Sequence, residues 1–142
     1  MIEIKLAETP EEVRATHGVM RQLRTHLDEA AYVAQVARQQ TEDRYAVVAL
    51  FDDGVIRAVA GFRIATALAL GHYLYVDDLV SDATVRSHGY GAALLDWLCA
   101  HGKAHGCTSL HLDSGVQRHD AHRFYLRERM DIVFYHFRKS IP

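Results

Sequence analysis

The stretch Arg86-Ser87-His88-Gly89-Tyr90-Gly91 sets a cation and two glycines where an apolar run gives way to a helical pattern. The first N–H groups of a helix have no intrahelical partners, and the helix dipole places partial positive charge beside them. Glycines at that point remove the Cβ atoms that would hold a diphosphate away from those amides. Arg86 can add charge-assisted hydrogen bonds. A P-loop would end in Gly-Lys-Ser/Thr, whereas Gly91 is followed by Ala92-Ala93. A dinucleotide fingerprint needs a third glycine or alanine where Leu94 stands, and more alternating strands and helices than remain. Spacing alone leaves two readings open: an anion cradle, or a tight β-to-α turn eased by glycine.

Other residues could do chemistry. Asp77 and Asp78 lie just before the turn, on opposite faces if their strand alternates regularly. Tyr125, in Ala121-His122-Arg123-Phe124-Tyr125, offers a phenol that can donate a proton or pack in a core. His101 and His105 fall four apart and His119 and His122 three apart. No third ligand, cysteine pair or His-Glu-x-x-His accompanies them, so they read as solvated helix positions and no metal is expected. Asp113-Ser114-Gly115 lacks a nucleophile elbow, and Cys107 has no marked base beside it.

The elements that must carry these residues follow from periodicity. Ile2, Ile4 and Leu6 alternate with charged residues as in a half-buried strand. Thr9 reads as an N-cap before Pro10-Glu11-Glu12, and Val13, Thr16, Met20, Leu23 and Leu27 predict a helix to about residue 27. A second helix is predicted over Glu29 to Gln40. Tyr45 to Phe51, the turn Asp52-Asp53-Gly54, and Val55 to Ala65 predict a hairpin. His72 to Ser81 is a further strand. After the glycine turn, Leu94, Leu95, Leu98, Cys99 and Gly102 share one helix face, and Thr108 to Asp113 is a strand. Asp120 to Arg129 reads as a helix and Ile132 to Lys139 as a closing strand.

The order is β-α-α-β-β-β-α-β-α-β: an α/β (α+β) class fold with one mixed, mostly antiparallel sheet, a parallel β-α-β crossover over Tyr73 to Asp113, and helices on both faces. A chain of 142 residues suits a single domain. A formal net charge of −2 gives no electrostatic case for nucleic acid or an anionic membrane. The start is neither signal nor transit peptide, and no run approaches the roughly 20 apolar residues of a spanning helix. With only Cys99 and Cys107, the reducing cytoplasm is the expected location.

Leu79-Val80-Ser81, four residues, then Arg86-Ser87-His88-Gly89-Tyr90-Gly91 resembles motif A of the GNAT superfamily of N-acetyltransferases. Arg118-His119-Asp120-Ala121-His122-Arg123-Phe124-Tyr125 resembles its motif B, and the element order matches over nearly the whole chain. The resemblance implies acetyl-CoA as co-substrate and a small amine as acceptor, in a family that is often dimeric. It implies that amides of Ser87, His88, Gly89, Tyr90, Gly91 and Ala92 hold the CoA diphosphate. The backbone of Leu79, Val80 and Ser81 would pair with the pantetheine arm. Tyr125 would protonate the departing thiolate, and Asp77 would be base or ammonium anchor, with Asp78 in reserve.

Two departures from the pattern stand out. Arg118 occupies the motif B position where asparagine usually touches the cofactor, and Arg129-Met130 replaces the usual Gly-Phe at the helix end. Arg129 must then adopt the left-handed conformation, or the helix must end differently. An acyl-CoA-binding module without catalysis is the competing reading.

Acylating an amine requires removal of a proton from an ammonium of pKa about 10 and protonation of a thiolate of pKa about 8.5. A tyrosine suits the second task. Asp77, Asp78 and Asp113 favour a cationic small molecule as acceptor.

Overall fold

The structure is a computed structural model and describes residues 1–86 and 88–142. The chain packs as two compact units, Met1–His111 and Leu112–Pro142.

In the first unit, β1 (Ile2–Ala7), β2 (Ala46–Asp52), β3 (Val55–Ala67) and β4 (Gly71–Ser81) form an antiparallel meander. Beyond β4 the chain crosses through α4 (Tyr90–Ala104) and returns as β5 (Ser109–Leu112), giving the sheet order β1-β2-β3-β4-β5. The β2–β3 turn carries Asp53 at φ 49° and Gly54 at φ 80°, the pair of positive values that matches the twist of a two-residue hairpin.

Three helices precede β2: α1 (Pro10–Ala15), α2 (His17–Met20) and α3 (Glu29–Glu42). Thr9 and Glu12 cap α1 reciprocally, as the Thr-Pro-Glu-Glu run implies. The single helix expected to about residue 27 is not formed. It breaks at Thr16, whose hydroxyl donates to the Val13 carbonyl at 2.6 Å and meets the Tyr32 hydroxyl at 2.7 Å. Thr16 is fully buried, so that tertiary contact outweighs local helical periodicity.

Side chains of α1–α3 cover one sheet face, with Val13, Met20, Tyr32 and Val36 against Val47, Val59 and Val80. The other face lies under α4, whose Leu94, Leu95 and Leu98 are buried where the helix meets β3 and β4. Each such side chain contributes about 1.5–3 kcal/mol of burial. Cys99, expected on that face, is exposed instead.

The second unit carries α5 (His119–Arg127). Arg129 takes the left-handed conformation at φ 62°, while the N–H groups of Arg129 and Met130 bond to the Leu126 and Tyr125 carbonyls, each at 3.1 Å. This closure normally uses glycine, and a side chain there costs about 1–2 kcal/mol. The expected strand over Ile132 to Lys139 is absent. Its β-forming residues, Ile132 to Phe137, lie exposed apart from any ladder, and a strand holds its backbone bonds only against a neighbour.

Candidate active site

One irregularity in β4 builds the carboxylate wall. Gly61 of β3 pairs with Asp78 and Phe62 pairs with Val76, so Asp77 is a surplus residue without a partner across the ladder. Such a β-bulge shifts the phase of the pleat. The expectation that Asp77 and Asp78 face opposite ways is therefore wrong: both line one pocket.

Each carboxylate is engaged. Arg63 grips Asp77 with two bonds, Nε to Oδ2 at 2.7 Å and Nη2 to Oδ1 at 2.9 Å. Its guanidinium also lies over the Tyr75 ring, 5.3 Å from the centroid. Arg24, from the segment after α2, donates Nε to Asp78 Oδ1 at 2.7 Å and Nη2 to the Asp77 carbonyl at 2.9 Å. Tyr45 donates its hydroxyl to the other Asp78 oxygen at 2.6 Å.

Tyr45 reaches Asp78 through a notch in the sheet. A Cβ built on Gly61 would stand 1.6 Å from the Tyr45 hydroxyl oxygen and 2.3 Å from its ring. Only a residue without a side chain lets that phenol cross β3. Burial, then the charge of Asp78, pushes the Tyr45 hydroxyl well above its usual value. Tyr32, also in the wall, is pushed up to about 12 by burial, opposed by its bond with Thr16. Arg24, Arg63, Tyr45 and Gly61 were not singled out from the sequence. Of these, only Gly61 carries a local signal, a glycine inside a strand pattern that marks a bulge or a close approach.

The pocket so enclosed measures about 340 Å³, within the range of small-molecule sites. Met20, Leu27 and Val36 give it an apolar side, while Arg24, His26, Gln35, Gln39 and the two aspartates give it a polar one.

Directly beyond the bulge, β4 presents Leu79, Val80 and Ser81, paired on one edge with Ala60, Val59 and Ala58. On the other edge β5 joins from the far end, where the Thr108 N–H bonds to the His72 carbonyl at 2.9 Å. A strand of four residues starting there stops short of Leu79–Ser81, so among the described residues no strand pairs with that length of backbone on this edge. Val80 is buried, which leaves main chain rather than its side chain for contact.

The glycine turn then leads into α4. Gly89 is its N-cap at φ 76°, ψ 12°, and no side chain caps the helix start. The leading amides, at Tyr90, Gly91 and Ala92, thus lie at an uncapped start with α4 behind them. A Cβ on Gly89 would meet open space, so glycine is needed there for its backbone conformation rather than for room. Tyr90 turns its ring inward and donates its hydroxyl to Asp52 at 2.6 Å, pinning the helix start to the end of β2. His88 stacks on the Tyr90 ring, 5.6 Å between centroids, and Arg86 is exposed. Ahead of the turn, Asp82 accepts from the Thr84 N–H at 3.1 Å and from Arg57 at 3.4 Å. Ser87, expected among the diphosphate contacts, lies outside the described residues. An uncapped helix start, a left-handed glycine and an adjoining open strand edge fit a diphosphate with an extended arm.

Known proteins share this fold. The sequence model described as Acetyltransferase (GNAT) family matches residues 10–130. The chain belongs to that GNAT family. An uncharacterized N-acetyltransferase of Bacillus subtilis, YhdJ, is 35% identical to it over 142 residues, covering 99% of this chain and 100% of that one. Among solved structures, the aminoglycoside N-acetyltransferase AAC(6')-Iy in complex with CoA superposes with a TM-score of 0.79 at 16% identity, over 98% of this chain and 96% of that one. The ribosomal-protein-alanine N-acetyltransferase of Brucella melitensis gives a TM-score of 0.84 at 13% identity, with both chains fully covered. This GNAT protein is thus an acyltransferase with the mixed sheet of its family.

The motif B residues of the GNAT chain lie in the second unit. Arg118 is the N-cap of α5 and offers no side-chain cap bond. Tyr125 is half-buried and its ring meets Phe124 edge to face at 5.5 Å. Burial raises the Tyr125 hydroxyl above its usual value, and the neighbouring Arg118 opposes that rise. His122 is committed locally, donating Nε2 to the Gly115 carbonyl at 2.7 Å.

Proposed function

We propose that this GNAT protein moves the acetyl group of acetyl-CoA to the primary amine of a small molecule that arrives as an ammonium cation, by direct attack in a ternary complex. One observation carries the reading: the carboxylate pocket and the open strand edge are consecutive residues of β4, Asp77-Asp78 and then Leu79-Val80-Ser81, with the uncapped start of α4 a short loop away. An amine in that pocket and a thioester along that edge are thereby brought together, which removes much of the entropic cost of a two-substrate reaction.

In this reading the amides of Ser87 to Ala92 hold the diphosphate, with Arg86 and Arg118 as charged neighbours. A main-chain N–H of Leu79–Ser81 polarises the thioester carbonyl as charge builds on its oxygen. Arg63 fixes both oxygens of Asp77, which suits Asp77 to anchor the ammonium while its proton leaves through water. Tyr125 is the acid for the thiolate. Burial raises its pKa above the usual value, which keeps the phenol protonated and ready to donate at neutral pH. Both units act as one catalytic domain, working in the cytoplasm.

The test is release of free CoA thiol from acetyl-CoA with a panel of primary amines. Turnover on at least one is expected. Heat protection by acetyl-CoA with no turnover on any amine would replace the enzyme by a binding module. Tyr125→Phe is expected to lower kcat about tenfold to a hundredfold, toward the low end for general acids because a thiolate leaves readily. Full kcat across the whole pH range would remove Tyr125 from the mechanism.

A further inference from the structure

We infer that the acceptor pocket selects an amine that also carries a carboxylate, with Arg24 as the residue that sets this preference; the inference rests on the pocket being the acceptor site of an acetyltransferase. The pocket wall has two carboxylates, Asp77 and Asp78, and one guanidinium, Arg24, while Arg63 grips Asp77 from outside the lining. Before any acceptor enters, these four charges cancel. The acidic excess that would draw a polyamine is absent, because both aspartates are already neutralised by partners 2.7 Å away.

An incoming ammonium adds one positive charge to a balanced, half-enclosed wall. A second ammonium adds another, with both aspartates already paired. Uncompensated charge in such a place carries a desolvation penalty that water no longer offsets. A carboxylate on the acceptor cancels the first charge. It also has a donor waiting: Arg24 uses Nε on Asp78 and Nη2 on the Asp77 carbonyl, while Nη1 makes no hydrogen bond among the described residues. Arg24 is 42% exposed, whereas Asp78 beneath it is 13% exposed, so the guanidinium is the reachable member of the pair. His26 and Gln35 stand on the same lining and can meet a carboxylate's second oxygen. A volume of about 340 Å³ has room for a molecule of amino-acid size.

Tyr45 keeps the wall in this state. Its hydroxyl, lodged in the Gly61 notch, holds Asp78 with the oxygen opposite the one Arg24 takes. The aspartate cannot rotate toward an added cation without breaking both bonds. Arg24 is accordingly a specificity-determining residue, and Tyr45 a positioning one.

The experiment uses three amines with one carbon skeleton: δ-aminovalerate, ending in a carboxylate; pentylamine, ending in a methyl; and cadaverine, ending in a second ammonium. The wild type is expected to rank them in that order in kcat/KM, with about a tenfold step for each charge. Arg24→Gln unpairs Asp78 and should invert the ranking, cadaverine gaining at least about tenfold while the KM for acetyl-CoA stays put. Arg24→Lys keeps the charge and should keep the wild-type order, which separates charge selection from a loss of folding. Calorimetric binding of the same amines to the CoA-loaded protein reads the order even if nothing turns over. Absence of turnover would then overturn only the acetyl-transfer reading. Cadaverine favoured by the wild type, or an order unmoved by Arg24→Gln, overturns this inference and leaves acetyl transfer standing.

Discussion

The carboxylate wall and the backbone that follows it along β4 form the two ends of the candidate site, and they would serve recognition in different ways. Around Asp77 and Asp78, β4 works through side chains: two arginines and a tyrosine hold the carboxylates, and every partner comes from another element. From Leu79 to the start of α4 it works through main chain, with a free strand edge and an uncapped helix start. The first arrangement can be retuned by changing a side chain. The second answers to backbone conformation and tolerates most side-chain changes. A family that keeps one acyl donor and varies its acceptor would be expected to divide the labour this way.

Substitutions can pull the two ends apart. The largest effect is expected from Asp77→Asn, which keeps the shape, removes the charge and leaves Arg63 unbalanced. For the amine, kcat/KM should fall about a hundredfold or more, with acetyl-CoA binding intact by calorimetry. An unchanged pH–rate profile would strike Asp77 from the chemistry. Next comes Gly61→Ala, which drives a methyl into the Tyr45 ring. Overpacking of about 1–3 kcal/mol should appear as a lower Tm and a raised amine KM, and Gly61→Ala with Tyr45→Leu should recover stability without recovering the amine KM. Recovery of both would show that the notch serves packing alone.

Gly89→Val acts on the other end. A β-branched residue at φ 76° costs about 1–2 kcal/mol or more, to be read as a rise of about tenfold in the KM for acetyl-CoA with the amine KM little changed. An equal rise in both would erase the contrast drawn between the two ends.

The smallest effect on activity, none at neutral pH, is instead read in stability. Tyr32, raised to about 12, and Tyr45, raised well above its usual value, ionise near 10 in the unfolded chain. Their folded pKa values lie above the unfolded ones, so their stabilisation is complete below pH 10 and drains away as pH climbs toward about 12. Tyr32 alone accounts for about 3 kcal/mol of that loss. Urea midpoints between neutral pH and pH 11 should fall, and Tyr32→Phe should flatten the slope.

The sequence reading succeeds where the deciding contacts are local. Thr9-Pro10-Glu11-Glu12 closes a capping box within one turn, Asp53-Gly54 makes its hairpin, and Gly89 sits where a strand must become a helix. It fails where a distant partner decides. Thr16 interrupts a periodic helix because Tyr32, 16 residues on, claims its hydroxyl. Asp77 and Asp78 share a wall because a bulge gives β4 one surplus residue opposite Gly61 and Phe62, and nothing near residue 77 records that. Arg24 lies 54 residues from Asp78, and no spacing rule joins them. The run from Ile132 to Lys139 has the composition of a strand yet enters no ladder, and composition cannot supply one.

The surplus residue in β4 also makes the strand unusually easy to edit. Were Asp77 deleted, Val76 and Asp78 would become ordinary neighbours in the pleat. Leu74, Val76, Asp78 and Val80 would keep the sides they occupy now, and the ladder to Phe62 and Gly61 would close without slipping. Lineages carrying this fold could lose or regain a carboxylate at this bulge in a single codon step, with no inversion of the core behind it.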